Sequence, residues 1–377
     1  MEIQAAVLRE HHGDLAIETV ELDALRDNEA LIEIAATGLC HTDLVVRDGI
    51  FPIPALPVIL GHEGAGIVAA VGARVRSVAV GDHVVLSFSS CGDCPHCKAG
   101  RPAHCGNFLS ANFLGKRPDG SITHRHQGQP INACFFGQSS FASYALVREG
   151  SVVKVPKDVP LELLGPLGCG IQTGAGTVLN HLKPPPRTSI AIFGVGAVGL
   201  SAVMAAKIAG CGAIIAIDKH AGRLTLAGEL GATHMVNCGD ADAVARIKEI
   251  TGAGADYVIE GTGAPEAVAQ SLRCVRRRGD VALLGLGRQD APLPLTLGDL
   301  MTGTMIRSVT EGDSVPAHFI PELIAFYRQG RFPFDRLISF YTLDQINEAV
   351  RDAISGVVIK PVIRMPHKSQ RTEGATL

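Results

Sequence analysis

The sequence predicts an α/β protein in two parts, a β-rich region followed by a doubly wound parallel sheet. Three observations predict it. Residues 1 to about 165 consist of short apolar runs cut by Gly, Pro and Asp, the pattern of strands and turns. From Ser189 onward, strand-like and helix-like runs alternate, as βαβ units require. Between the first of those strands and its helix lies GVGAVG, residues 194–199, a turn that lets backbone approach a phosphate. A length of 377 residues allows two domains or a little more.

In chain order, ALIEIAATG (30–38), AGIVAAVG (65–72) and DHVVLSF (82–88) read as strands. HLKPPPRTS (181–189) is a Pro-rich approach to the second part. SIAIF then reads as strand, AVGLSAVMAAKIAG as helix, AIIAID as strand and RLTLAGELGA as helix. HMVNC, ADYVIE, VALLGLG and TMIRSVT read as further buried strands, with helices DAVARIKEI and PEAVAQSLRCVRR between them. The basic run RCVRRRG (273–279) reads as a solvated helix end. After about residue 311 come helical PAHFIPELIAFYRQG, a short mixed tail and a loose polar end from Pro366.

Hydrophobic residues make up 46% of the chain, enough for a sizeable core, and the net charge is −3. That balance gives no electrostatic footprint for nucleic acid or an anionic membrane. The N-terminal stretch MEIQAAVLREHHGD is broken by charges and has no signal-peptide core. The most apolar helical run carries Lys207 and is too short to span a bilayer. The expectation is a soluble cytoplasmic protein, in which ten cysteines serve as thiols and metal ligands rather than disulfides.

GVGAVG fits a dinucleotide fingerprint because it follows a strand and opens a helix. Gly194 permits the tight turn, Gly196 and neighbouring Val198 face the cofactor, and Gly199 lets the helix pack on the sheet. The helix N-terminus offers free N–H groups to a pyrophosphate. Asp218 ends the next strand, where a carboxylate accepts hydrogen bonds from a ribose diol and repels a 2′-phosphate. That favours NAD, although Lys219 and Arg223 lie close by in sequence. A domain that binds another nucleotide, or none, is the alternative.

The loop CGDCPHCKAGRPAHC holds Cys91, Cys94, Cys97 and Cys105, with His96 and His104 among them. Four thiolates so spaced close a tetrahedral shell and leave no position for substrate, so the loop reads as structural zinc. Disulfides and an iron–sulfur cluster are the alternatives, and the latter wants different spacing. A working metal needs an open position. Cys40 in GLCHTD, His62 and Glu63 in GHEGAG, and Cys169 in GPLGCGIQTG each sit beside Gly or in a turn. Two thiolates and an imidazole leave a fourth place free. A polar His and small core cysteines are the plainer reading of the same residues.

Over residues 1 to roughly 365 the sequence resembles the zinc-dependent medium-chain alcohol dehydrogenases. GHEGAGIVAAVGARV (61–75) resembles that family's zinc signature, and the four-Cys loop its structural-zinc lobe. Within the family, TGLCHTDL, GDHVVLSFSSCG, FFGQSSFASYALV and LELLGPLGCGIQTGAGTVLN are similar to aryl-alcohol (benzyl alcohol) dehydrogenases. The resemblance implies a GroES-like catalytic domain, residues 1–170 and 311–377, with a Rossmann NAD-binding domain, 171–310, inserted and the active cleft between them.

It also implies two zinc ions per chain and NAD as cofactor. Cys40, His62 and Cys169 would hold catalytic zinc, with Glu63 an exchanging ligand and Asp43 orienting His62. Thr42 would take the alcohol proton. His41 and Lys360 would contact the pyrophosphate, Thr173 and Leu286 the nicotinamide. Val45 stands where better-known members carry a proton-relay His, so water or His41 would finish the relay. Phe51, Ser87, Phe135 and Phe136 fall where the family lines its substrate pocket, implying a roomy apolar slot for a flat ring, with ordinary core packing of the Phe residues as the alternative. Cys134, Cys211, Cys238 and Cys274 remain as buried small hydrophobes.

The expected reaction is reversible hydride transfer from a benzyl-type alcohol to NAD, giving the aldehyde. A terpene or allylic alcohol dehydrogenase is the alternative within enzymes, and a non-catalytic protein on the same fold the alternative outside them. The partner would be a small alcohol or aldehyde, and the assembly a homo-oligomer, dimer or tetramer.

Overall fold

The structure, a computed structural model, describes residues 1–366 apart from Pro52 and Gln289. The polar end beyond Pro366 lies outside the described residues. The chain divides into two compact units, Met1–Cys169 with Val315–Pro321 and the chain from Asp335, and Gly170–Ser314 with Glu322–Phe334. Residues 322–334 therefore pack with the second unit, although they follow residue 311, where the sequence suggests the return to the first.

The first unit holds two sheets. A five-stranded sheet runs in the order Val58–Ile59, Glu2–Leu8, Ala16–Leu22, His124–His126, Gln129–Ile131. A seven-stranded sheet runs Val152–Lys154, His83–Leu86, Glu63–Val71, Glu29–Gly38, Lys360–Arg364, Ile338–Thr342, with Tyr144–Arg148 also on Glu29–Gly38. Every pairing is antiparallel except that of Ile338–Thr342 with Lys360–Arg364. Glu29–Gly38 alternates buried and half-buried positions, so one face packs on the core. Its last residue, Gly38, stands opposite Glu63. A Cβ there would lie 2.0 Å from Glu63 Oε2, so glycine is what lets that carboxylate fold back over the strand.

A buried charge group joins the sheets of this unit. Arg117 is 5% exposed and reaches Glu29 at 2.7 and 2.9 Å and Asp23 at 2.5 Å. His124 is buried nearby, with Thr123 on Nδ1 at 2.8 Å and no partner on Nε2.

The second unit is a six-stranded parallel sheet in the order His234–Asn237, Ala213–Asp218, Ser189–Phe193, Ala255–Glu260, Val275–Leu283, Met305–Ser308. The chain winds outward from Ser189–Phe193 to one side, then returns to its other side at Ala255–Glu260. The crevice at such a reversal is where open α/β sheets take ligands. Helices Ala197–Ala209, Ala221–Leu230, Ala243–Thr251 and Pro265–Cys274 make the connections.

Three expectations need correction. The basic run after Cys274 is not a helix end. Val275–Leu283 is a strand, and Arg276 is drawn onto Asp256 of the neighbouring strand at 2.9 Å. TMIRSVT forms a strand over Met305–Ser308, but all four residues are exposed because it is the sheet edge. At the opposite edge His234–Asn237 is only partly buried. Periodicity cannot tell an edge strand from a central one. Among the described residues no helix is long and apolar enough to cross a membrane.

Burial pushes the His124 imidazole down to about 3, and the Arg117 guanidinium adds to it. The ring is neutral in the fold and gains a proton on unfolding below its ordinary value of 6.5. Its contribution is complete above that pH and is lost as pH falls toward the folded value. A His124→Gln variant should therefore lose less urea-unfolding free energy between pH 6.5 and 4 than the parent, by about 3 kcal/mol. Equal slopes would remove His124 from the account.

Candidate functional site

The site in the first unit starts from a helix N-terminus. Cys40 is the N-cap of His41–Arg47, with φ −114° and ψ 158°. Asp43, at the third helical position, turns its carboxylate back. Oδ2 accepts from Cys40 N at 3.0 Å; Oδ1 accepts from Gly61 N at 3.0 Å and stands 3.0 Å from His62 Nδ1. One side chain, 2% exposed, thus joins the helix start, the turn before Glu63–Val71 and the imidazole. A ring that gives Nδ1–H to a carboxylate presents a bare Nε2 lone pair. Among the described residues, His62 Nε2 is buried and has no hydrogen-bond partner.

Cys169 follows the turn Gly165–Gly168, whose last carbonyl accepts from Ser87 Oγ at 2.7 Å. The ligand atoms of Cys40, His62, Glu63 and Cys169 all lie within 4.8 Å of one another. The Cys40 thiol is held well below its ordinary value, first by Cys169 and then by the Lys360 and His62 charges. Burial pushes His62 down, but Asp43 and Cys40 outweigh it and hold the ring well above its usual range, so the field that would put a proton on Nε2 favours a cation in the proton's place. The field at this point favours positive charge. Thiolates, an imidazole and an orphaned buried lone pair fit a borderline-soft divalent cation such as zinc.

Behind it lies an ion pair. Lys360 Nζ reaches both oxygens of Glu63 at 2.9 Å and the Leu39 carbonyl at 3.2 Å. Glu63 is 0% and Lys360 3% exposed. Burial pushes the Glu63 carboxyl up to about 7 against the pull of the Lys360 ammonium. The structure thus places the lysine that the resemblance assigned to a pyrophosphate inside the unit, on a carboxylate.

In the four-Cys loop, Cys91 and Cys97 sulfurs stand 3.9 Å apart, and none of the ten cysteines, all among the described residues, is in a disulfide. The backbone wraps the sulfurs. Cys91 N and Asn107 N point at Cys105 Sγ at 3.3 Å, Cys94 N at Cys91 Sγ at 3.4 Å. Cys97 N and Gly106 N point at Cys94 Sγ at 3.5 and 3.4 Å. Those N–H donors lower Cys94 to about 6, which favours the thiolate a metal takes. The four sulfurs form one cluster, while His96 and His104 are exposed beside it.

In the second unit Gly194 has φ +80°, and a Cβ on Gly199 would lie 2.1 Å from the Gly194 carbonyl. The turn therefore closes tightly over the start of Ala197–Ala209. Asp218 Oδ2 accepts from Val195 N at 2.9 Å and Oδ1 from His220 N at 2.9 Å, so the acid braces the glycine turn. Arg223 lies beside Gly196, its Nε buried without a partner. Thr173 Oγ1 points at Glu311 at 3.5 Å. Val198 and Leu286 are half-buried.

The pocket expectations change most. Phe135 and Phe136 are 0% and 4% exposed and pack on His62, Phe136 stacked at 4.5 Å and Phe135 edge-on at 5.4 Å. Phe51 packs on Phe113 at 5.0 Å. Ser87 is buried and holds the Gly168 carbonyl instead of widening a slot. Cys238 is exposed, and Cys134 and Cys211 are half-buried, so only Cys274 is a buried small residue of the four. Sequence reading missed the Glu63–Lys360 pair and the buried Gln138 beside the His62 strand. Neither has a local signal, because each pairs residues far apart in the chain.

Comparison with known proteins follows the same division. The family model "Alcohol dehydrogenase GroES-like domain" matches residues 26–157, and "Zinc-binding dehydrogenase" matches 197–327. A geraniol dehydrogenase from Castellaniella defragrans is 50% identical over 96% of this chain and 97% of its own. A benzyl alcohol dehydrogenase from Acinetobacter calcoaceticus superposes with TM-score 0.93 at 46% identity, covering 97% of this chain and all of the other. An alcohol dehydrogenase zinc-binding domain protein from Burkholderia ambifaria gives 0.94 at 50% identity, with the same coverage.

Lys360→Met leaves the Glu63 carboxylate buried without its ammonium, and should cost about 3–5 kcal/mol in chemical denaturation. Adding Glu63→Gln should recover most of that loss, because the uncompensated charge is gone. A single variant as stable as the parent would show the pair to be dispensable.

Proposed function

This chain belongs to the zinc-binding, medium-chain alcohol dehydrogenases, and from that premise we propose that it moves a hydride between a benzyl-type primary alcohol and NAD. The reaction is reversible and yields the aldehyde. What carries the reading is the convergence of Cys40, His62 and Cys169 on one buried point, with His62 Nε2 bare. We assign these three residues to catalytic zinc, with Glu63 in reserve, and Cys91, Cys94, Cys97 and Cys105 to structural zinc. Bound at the open site, zinc supplies a Lewis acid that brings an alcohol's pKa toward neutrality.

The protein's own part is position and proton handling. Asp43 holds the His62 tautomer. Thr42, whose Oγ1 lies 4.0 Å from Cys40 Sγ, takes the alcohol proton. Val45 is 2% exposed and can carry no proton, so the path outward runs through water or His41, exposed at the first turn of the same helix. Nicotinamide chemistry belongs to the cofactor; Gly194, Gly196, Val198 and Gly199 seat its pyrophosphate and Thr173 and Leu286 its ring. Asp218 disfavours a 2′-phosphate, which supports NAD.

The aromatic substrate rests on the similarity to the benzyl alcohol dehydrogenase. A terpene alcohol is the second reading, supported by the geraniol dehydrogenase relative. The division we propose is catalytic residues 1–170 with 311–377, apart from 322–334, which pack with the nucleotide-binding residues 171–310. A homo-oligomer, dimer or tetramer, is supported by the edge strand Met305–Ser308, which exposes Met305 and Ile306 along an edge unpaired among the described residues. The protein is read as cytoplasmic.

The test is NADH formation from benzyl alcohol and from geraniol on zinc-quantified protein. We expect two zinc ions per chain, matching the two ligand clusters, and a higher kcat/KM for benzyl alcohol with NAD than with NADP. Cys40→Ala should keep one zinc and lose activity by at least about 100-fold. A kcat/KM larger for geraniol would move the substrate to the terpene class.

A further inference from the structure

The segment 134–139 is held in an unusual shape. Cys134, Phe136 and Ser139, none of them glycine, have φ of 64°, 50° and 52°. Left-handed backbone at such residues is strained and persists where surroundings over-determine it. They do so here. Ser139 Oγ accepts from Phe135 N at 2.9 Å and donates to the Ile59 carbonyl at 2.6 Å. Ser140 N and Phe141 N donate to the Gly61 and Leu60 carbonyls at 2.9 and 3.1 Å. The turn is laced to the segment that leads into His62.

Two of its side chains then act on His62. The strand His83–Leu86 pairs with Glu63–Val71 at Ala65, Gly66 and Ile67. Beside residues 62 and 64 it is Gln138 that bonds the main chain. It is 1% exposed; its Nε2 donates to the His62 carbonyl at 2.9 Å and its Oε1 accepts from Gly64 N at 3.0 Å. Phe136 covers one face of the imidazole at 4.5 Å and 26°. Asp43 holds the ring's Nδ1 edge.

We propose that Phe136 and Gln138 are positioning residues that aim His62 Nε2 at the metal, and that the strained turn exists to present them. The proposal rests on the reading of His62 as a ligand. Gln138 fixes the main chain that carries the ring, Phe136 blocks rotation of the ring plane, and Asp43 sets the tautomer. The bland account is that the two side chains only fill the core, and the test separates the accounts.

Cobalt(II) is exchanged into zinc-depleted holoenzyme of the parent, Phe136→Leu, Phe136→Tyr, Gln138→Met and Phe113→Leu. Phe113 packs on Phe136 at 5.0 Å and serves as the packing control. Visible spectra, metal affinity and melting temperature are read for each. Phe136→Leu and Gln138→Met should weaken cobalt at the Cys40–His62–Cys169 site by about 10–100-fold and shift its visible bands, leaving cobalt in the four-Cys loop unchanged. Phe136→Tyr, which keeps the stacked ring, should restore the parent spectrum. Phe113→Leu should lower melting temperature and leave the spectrum alone. Parent-like spectra and affinity in Phe136→Leu and Gln138→Met overturn the proposal, as does a Phe113→Leu spectrum shifted equally. If Gln138→Met does not fold, the Phe136→Leu and Phe136→Tyr pair decides. A parent that takes up cobalt only in the four-Cys loop overturns the ligand assignment itself, a result distinct from the others.

Discussion

The first unit's site depends on one carboxylate. Asp43 accepts from the amides of Cys40 and Gly61 and from His62, so it fixes three backbone or ring positions that the chain would otherwise leave independent. Its burial makes each of these bonds stronger than the same bond in water. It also makes the arrangement intolerant, since a buried carboxylate without its donors is costly. The thiol of the helix cap and the imidazole of the strand entry are brought together because the same anion needs both of their neighbours.

A second constraint closes the unit around that point. Glu63 and Lys360 lie 297 positions apart in the chain, yet each is buried against the other. Lys360 opens the strand Lys360–Arg364, which pairs on Glu29–Gly38, the strand whose glycine end leaves room for Glu63. The C-terminal strand thus completes the charge balance behind the ligand cluster as well as the sheet. Neither charge could be buried alone at tolerable cost. The second unit solves a related problem differently. There the acid Asp218 is satisfied by two backbone amides, and it braces the glycine turn that sits at the reversal of strand order.

Much of this was legible in the sequence because it is local. The glycine turn, the acid at the end of the next strand and the four-Cys loop all depend on spacing within about twenty residues, which backbone geometry converts directly into position. The alternation of strand and helix from Ser189 has the same character. Errors fall where a pattern is ambiguous or a partner is remote. TMIRSVT has the composition of a buried strand, but nothing in seven residues says that it ends a sheet. RCVRRRG looks like a charged helix end, and backbone pairing with Ala255–Glu260 is what makes most of it a strand. Phe135, Phe136 and Ser87 look like pocket walls in the linear sequence. Packed, they hold His62 and the Gly168 carbonyl.

Residue chemistry was settled in the sequence: which side chains can be thiolates, imidazoles, carboxylates or phosphate-facing glycines, and which of them lie near one another along the chain. Packing was settled in space. It decided that Lys360 meets Glu63, that Gln138 bonds the His62 carbonyl, and that Phe136 lies flat on the imidazole. These are contacts of high sequence separation. Their free energy comes from burying polar and aromatic groups against partners that only the closed sheet brings within reach, and no local spacing records it.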